Sequence, residues 1–209
     1  MPQDKSHFHY GAFYYKLIDS KQEEARQIVL NLATEKSSVL DIGCGTGMLC
    51  YVLCEKKQCS VVGLDLSLKM IAFAQKRFAH HNATYVHGDA TDLSDYRDRS
   101  FDFAVMMLFI HELKEDQQKK ALEEALRVAK KLIICDAASP LPKNKNSFLI
   151  WFAETVFGYE HKQHFKRFLA EDGVEGLIAK TGLPVQIEYS SLFWNKCRQI
   201  VVVSRKDYV

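Results

Sequence analysis

SSVLDIGCGTGMLCYVLCEKKQCSVVGLDLS, residues 37–67, decides the fold of this chain. SSVLDIG (37–43) is a short apolar run ending in glycine, the pattern of a buried strand. GTGMLCYVLCEKK (45–57) has helical length and composition, and SVVGLDLS (60–67) is a second strand that hands over to a helix across 68–80. Strand, helix and strand in this order make a parallel pair.

Outward from that unit the alternation continues. ATYVHGD (83–89), FDFAVMMLF (101–109) and KLIICDA (131–137) supply third, fourth and fifth strands, with a helix over 115–129 between the last two. An amphipathic stretch over 22–34 and a short aromatic one over 13–18 precede the first strand. Past Pro140 and Pro142 the rhythm breaks into a polar KNKN turn, an apolar segment over 148–159 and a helical stretch over 165–180. The chain closes with VQIEYSSLF (185–193) and CRQIVVVSRK (197–206), joined only by the residues around Trp194 and Asn195, so these two strands must pair antiparallel.

The 209 residues, 47% of them hydrophobic, suffice for one domain with its own core. Lys and Arg total 28 against 26 Asp and Glu, a net charge of +2, which gives no basic field for nucleic acid. Six cysteines behind the polar start MPQDKSHFHY read as buried thiols in a reducing cytoplasm, with Cys50 and Cys54 on one helical face. Four of them lie between 44 and 59 without the C-x-x-C spacing of structural zinc. No apolar run is long enough to span a membrane.

The chemistry concentrates in Asp41, Gly43, Cys44, Gly45 and Gly47. Glycines between strand and helix let the backbone approach a ligand where the helix offers free N–H groups. The third glycine arrives one residue earlier than in the dinucleotide fingerprint, and a carboxylate stands two residues before the first. Asp41 would repel a pyrophosphate, yet suits a charged α-ammonium, so the expected ligand is a nucleoside bearing an amino acid. Asp65, ending the second strand, stands where a carboxylate accepts from both ribose hydroxyls, with Leu66 and Met70 as apolar contacts for an adenine face. Gly88, Asp89 and Ala90 follow the third strand, where a carboxylate meets the adenine amino group.

Together VLDIGCGTG, VVGLDLS, GDATDL and FDFAVMMLFIHEL resemble the class I S-adenosylmethionine-dependent methyltransferases across residues 37–136. The resemblance implies a three-layer α/β/α sandwich on a mostly parallel seven-stranded sheet of order 3-2-1-4-5-7-6, its last strand antiparallel, with an apolar helical insertion between strands 5 and 6. It also implies that Gly43, Gly45 and Gly47 line the methionine end of the cofactor, Asp65 the ribose and Asp89 the adenine. YGAFYYKLI near the amino terminus is similar to a segment that small-molecule, quinone and lipid methyltransferases fold over the cofactor, placing Tyr14 at the cofactor and in a catalytic role. Tyr15 stands where that pattern commonly has Asp. HFKRFLAEDGVEGLIAKTGL is loosely similar to a stretch of the lipid and quinone enzymes. The expected organisation is one domain over 1–209: a helical cap (1–36), a cofactor-binding half (37–138), a lid or insertion with helices (139–182) and a closing strand pair (183–209).

Methyl transfer from a sulfonium is a direct displacement that chiefly requires the acceptor to be held in line and water excluded. Acceptor residues are expected beyond the carboxyl ends of strands 4 and 5: Met106, which also borders the cofactor, Met107, His111 as contact or base, and Asp136. Trp151, Tyr159, His161 and His164 are candidates for the acceptor mouth. The H-x-x-H pair has no third ligand in sight, so no metal is expected. The 148–159 segment carries a single charge, Glu154, and its apolar content predicts burial nearly all round, as a lid or core helix ahead of a homodimer face or a peripheral membrane contact.

The leading expectation is a cytoplasmic enzyme that methylates a small apolar or aromatic acceptor. A cofactor-binding subunit without chemistry is the alternative, and protein or lipid methylation stays open. A nicotinamide oxidoreductase is disfavoured by the glycine spacing, and nucleic-acid methylation by the absence of a basic stripe and by MMLF in place of an N-P-P-Y tetrapeptide.

Overall fold

The computed structural model describes residues 22–156 and 158–206. Tyr14 and the aromatic segment around it lie outside them. Seven strands form one sheet: β1 (Ser38–Ile42), β2 (Ser60–Asp65), β3 (Ala83–His87), β4 (Phe101–Met107), β5 (Ala129–Ala137), β6 (Val185–Phe193) and β7 (Arg198–Arg205). Their order is β3-β2-β1-β4-β5-β7-β6, as expected. The first five run parallel, with Val39 beside Val61 and Phe103, while β7 enters antiparallel, pairing Ala137 with Arg198 and Leu132 with Val203.

Alternation along the central strands builds both cores. Ala104, Met106, Leu132 and Ile134 point to one face, and Phe103, Val105, Ile133 and Cys135 to the other. On the second face pack α1 (Glu23–Leu32), α2 (Met48–Lys57) and α3 (Leu68–Arg77), through Val29, Leu53 and Ala74. The first face is covered by α4 (Glu115–Val128), α5 (Lys145–Val156), α6 (Tyr159–Ala170) and α7 (Gly173–Thr181), which bring Leu122, Ile150, Phe165 and Leu177. All six cysteines are buried thiols. No helix among the described residues is long and apolar enough to cross a membrane.

Two expectations are corrected. The helix over 165–180 is two helices, because Asp172 (φ +62°) and Gly173 (φ +60°) adopt the left-handed conformation between them. The apolar helix α5 is not buried all round: Phe148 is 70% and Phe152 61% exposed, while Ile150 and Glu154 face inward. Apolar content does not say which positions a helix turns inward, and here the inward ones are Ser147, Ile150 and Glu154.

Candidate functional site

The glycine loop is held from beneath. Gly43 and Cys44 both donate to the Leu64 carbonyl, and Gly45 N–H donates to Asp65 Oδ2 at 2.8 Å. Gly43, Gly45 and Gly47 all have positive φ, but for different reasons. A Cβ on Gly43 would fall 2.5 Å from the Phe109 ring, and one on Gly47 2.7 Å from Ala74 Cβ and from the Tyr85 ring. A Cβ on Gly45 would meet nothing within 4 Å and would project into open space. The cradle at Gly45 is thus clear of protein, as close approach by a ligand requires.

Asp65 is buried, with Oδ1 accepting from Ser67 N–H and Oδ2 from Gly45 N–H, both at 2.8 Å. Burial raises its pKa against the pull of these two donors. Each carboxylate oxygen retains a second lone pair for a ribose hydroxyl. Leu66 beside it is 67% exposed, an apolar platform in solvent, whereas Met70 is buried beneath. Asp89 Oδ1 accepts from both N–H and Oγ1 of Thr91, which orients the exposed carboxylate after β3; Gly88 packs on Leu64, and Ala90 is buried. Asp41 lies in the floor of the loop, accepting from the Cys50 thiol at 3.2 Å. Burial pushes its pKa up to about 7, with the Cys50 hydrogen bond opposing and the charge of Asp65 adding. A cationic ammonium is the natural partner for such a carboxylate. Met106 departs from expectation: its side chain is wholly buried between the sheet and α4, and half-buried Met107 is the neighbour that reaches the surface.

A 3-10 turn, Ile110–Glu112, follows β4. Gln118 of α4 donates to the Ile110 carbonyl at 3.0 Å, and His164 of α6 hydrogen-bonds the Glu112 carbonyl at 2.9 Å. These contacts aim His111 inward, where its Nδ1 lies 2.7 Å from Oδ1 of Asp136, the fully buried carboxylate near the end of β5. Burial alone would strip the imidazole of its proton, but the Asp136 charge and hydrogen bond outweigh it and raise His111 to about 9. Conversely burial, which would raise Asp136, is overcome by His111, and its carboxyl is held below the usual range. Beyond Nε2 of His111 stands Glu154 Oε2 at 3.9 Å, itself 2.5 Å from His161 Nε2. The rings of His161, Phe165 and Phe168 wall His111 at 5.5–6.2 Å between centroids, and Trp151 packs edge-on to Phe165.

Sequence reading thus named three members of this cluster, His111, Asp136 and His161. Glu154 it named only as the lone charge of an apolar segment. Glu112 it missed; burial raises its pKa, and its carboxyl feels His111, His161 and Glu154 as well as Asp65 of the glycine-loop site. A single charge at helical spacing inside an apolar run was the available signal for Glu154. Tyr159 is 78% exposed at the start of α6 and does not join the cluster. His164 serves the backbone of the 3-10 turn instead of forming a pair with His161. A separate cleft, lined by Lys36, Gln58, His80 and Asn82, lies at the amino ends of the strands, remote from the loop.

A family model described as a methyltransferase domain matches residues 39–132, the half that carries the glycine loop, Asp65 and Asp89. Over those residues the chain is similar to the class I S-adenosylmethionine-dependent methyltransferases, whose seven-stranded fold it shares. It is 33% identical over 143 residues to the demethylmenaquinone methyltransferase of Shouchella clausii, covering 61% of this chain and 60% of that one. It is also 33% identical over 86 residues to the malonyl-[acyl-carrier protein] O-methyltransferase of Priestia megaterium, covering 39% and 31%. The chain therefore spans less than two thirds of these curated relatives. Among solved structures, the PH0226 protein of Pyrococcus horikoshii OT3 shares the fold at a TM-score of 0.68 and 20% identity, over 93% of this chain and 99% of that one. The residues just described suit S-adenosylmethionine as cofactor: a clear cradle at Gly45, a second lone pair on each oxygen of Asp65 and a buried carboxylate at Asp41.

Proposed function

We propose that this protein is a methyltransferase that transfers the methyl group of S-adenosylmethionine to a small apolar or aromatic acceptor held over the carboxyl ends of β4 and β5. The observation that carries this reading is the buried His111–Asp136 pair, set under an aromatic wall and two residues beyond Phe109, whose ring packs on Gly43 of the glycine loop. Cofactor and acceptor would then face each other across the 3-10 turn. Asp41 takes the ammonium, Asp65 the ribose and Asp89 the adenine, with Leu66 as the apolar face, so that the sulfonium lies toward Gly45 and Phe109. The bound cofactor supplies an electrophilic methyl; the chain orients the acceptor and keeps water out.

His111 is a positioning group in this scheme more than a base, since a pKa of about 9 leaves it protonated at neutral pH. The name of the first relative, a demethylmenaquinone methyltransferase, fits such an acceptor. Incubating the protein with methyl-labelled cofactor and cell extract, then separating lipid, small-molecule and protein fractions, tests the reading. Label in the small-molecule or lipid fraction is the expected outcome, and label confined to protein would overturn it. Cofactor binding without turnover over a broad acceptor panel would favour the alternative of a binding subunit.

A further inference from the structure

We propose that His111, Glu154 and His161 form a binding site for a first-row divalent transition cation, zinc by preference, between the 3-10 turn after β4 and the helices α5 and α6. One ligand atom from each residue lies within 4.8 Å of the others, and all three residues are buried. Tetrahedral coordination at about 2.0–2.1 Å from each donor sets neighbouring donors roughly 3.3 Å apart. Two of the separations, 3.9 Å from His111 Nε2 to Glu154 Oε2 and 2.5 Å from Glu154 Oε2 to His161 Nε2, straddle that value. Small side-chain rotations would equalise them.

Two further features favour a cation over a purely structural contact. Asp136 grips Nδ1 of His111 with both oxygens, at 2.7 and 2.9 Å, which holds the ring with Nε2 turned to Glu154; a cation bound there displaces the Nε2 proton to solvent. Carboxylate, imidazole and metal in that order are the usual arrangement around a ligating histidine. Glu154 Oε2 is buried and accepts no hydrogen bond among the described residues, although His161 lies against it. A buried carboxylate oxygen left so is costly, and a cation on it removes the cost. Asp136, Glu154 and Glu112 bring three carboxyl groups to two imidazoles, a balance that suits a divalent ion. The donor set of two imidazoles and one carboxylate matches the softness of zinc and its neighbours, not magnesium or calcium.

The site rests on the proposed function for its use. With three protein ligands a fourth position remains, and an acceptor hydroxyl bound there would release its proton to solvent and stay as a cation-bound oxyanion. That oxygen then forms the new O–CH3 bond as the S–CH3 bond breaks, leaving the neutral thioether of the cofactor. The acceptor class this selects is one with an acidic or chelating oxygen, such as a phenol, a hydroquinone or a carboxylate.

Titrating the chelator-treated full chain with Co2+, followed by visible absorption and then Zn2+ competition, tests the site. One Co2+ per chain, displaced by Zn2+, is expected, with at least tenfold weaker binding in Glu154→Gln and in His161→Ala. His80→Ala, in the remote cleft, should bind as the parent does. No saturable Co2+ binding by the parent chain, or undiminished binding in both Glu154→Gln and His161→Ala, would overturn the proposal. Calorimetry with S-adenosylhomocysteine reports whether each variant is folded, since its binding residues lie outside the cluster. Stoichiometric Co2+ binding in a protein that methylates no acceptor would sustain the cation site while removing the proposed function.

Discussion

His111 Nδ1 and Asp136 Oδ1 stand 2.7 Å apart across two adjacent parallel strands' ends, with neither side chain open to solvent. Removing one partner of such a pair leaves the other charge buried alone. Asp136→Asn should lose about 3–5 kcal/mol of stability and most methyl transfer. Chemical denaturation measures the first; if the variant unfolds as the parent does, the pair is not buried as described.

Asp65→Ala should weaken cofactor binding by two ribose hydrogen bonds to a charged acceptor, each about 1.5–3 kcal/mol, hence at least about a hundredfold. Calorimetry with S-adenosylhomocysteine gives the value directly. Unchanged affinity would move the nucleoside elsewhere.

Gly45 and Gly47 separate binding from folding. Gly47→Ala places a Cβ 2.7 Å from both Ala74 and Tyr85 at φ +81°, so the melting temperature should fall by several degrees, for a cost above about 1 kcal/mol. Gly45→Ala meets no neighbour. It should melt closer to the parent while binding cofactor more weakly.

Folding raises Asp41 from 3.8 to about 7, so between those values the folded chain keeps a proton the unfolded chain has released. Stability contributed by Asp41 is therefore greatest at the acid side and falls as pH rises towards 7. Asp41→Asn should flatten that part of the stability profile. An ammonium docked on Asp41 favours the carboxylate, so cofactor binding near neutral pH should release a proton, seen as a calorimetric heat that varies with the buffer's ionisation enthalpy. A buffer-independent heat would exclude the contact.

On α5, Ile150→Ala should cost about 2–5 kcal/mol, whereas Phe148→Ser and Phe152→Ser should alter stability by no more than roughly 0.5 kcal/mol. Denaturation curves of the three variants distinguish the inner face from the outer one.

The strands and loop of residues 37–67 were legible because their signals are local. Strand, glycine loop and acidic end succeed each other within residues 37–67, and the positive φ of Gly43 and Gly47 requires the residue that is there. The sheet order and the antiparallel β7 also agreed with expectation. What local pattern could not supply is the meeting of residues 111, 136, 154 and 161, which four separate elements carry together. Glu154 looked like an interruption in an apolar helix. In three dimensions it is the inward group, and the phenylalanines around it face out. Helical content was clear at 165–180, but Asp172 adopting a left-handed backbone beside Gly173 leaves little trace in composition.

Asp65 has two employments, tying Gly45 into its loop and offering lone pairs outward. A descendant that had abandoned its cofactor would still need the first, so a surviving carboxylate at this position says nothing about whether a related chain is active. Gly45 is the better witness. Its Cβ would touch no protein atom, so beyond the mild strain of a φ of +51°, which asparagine tolerates, the further reason for glycine there is a ligand pressing on the backbone.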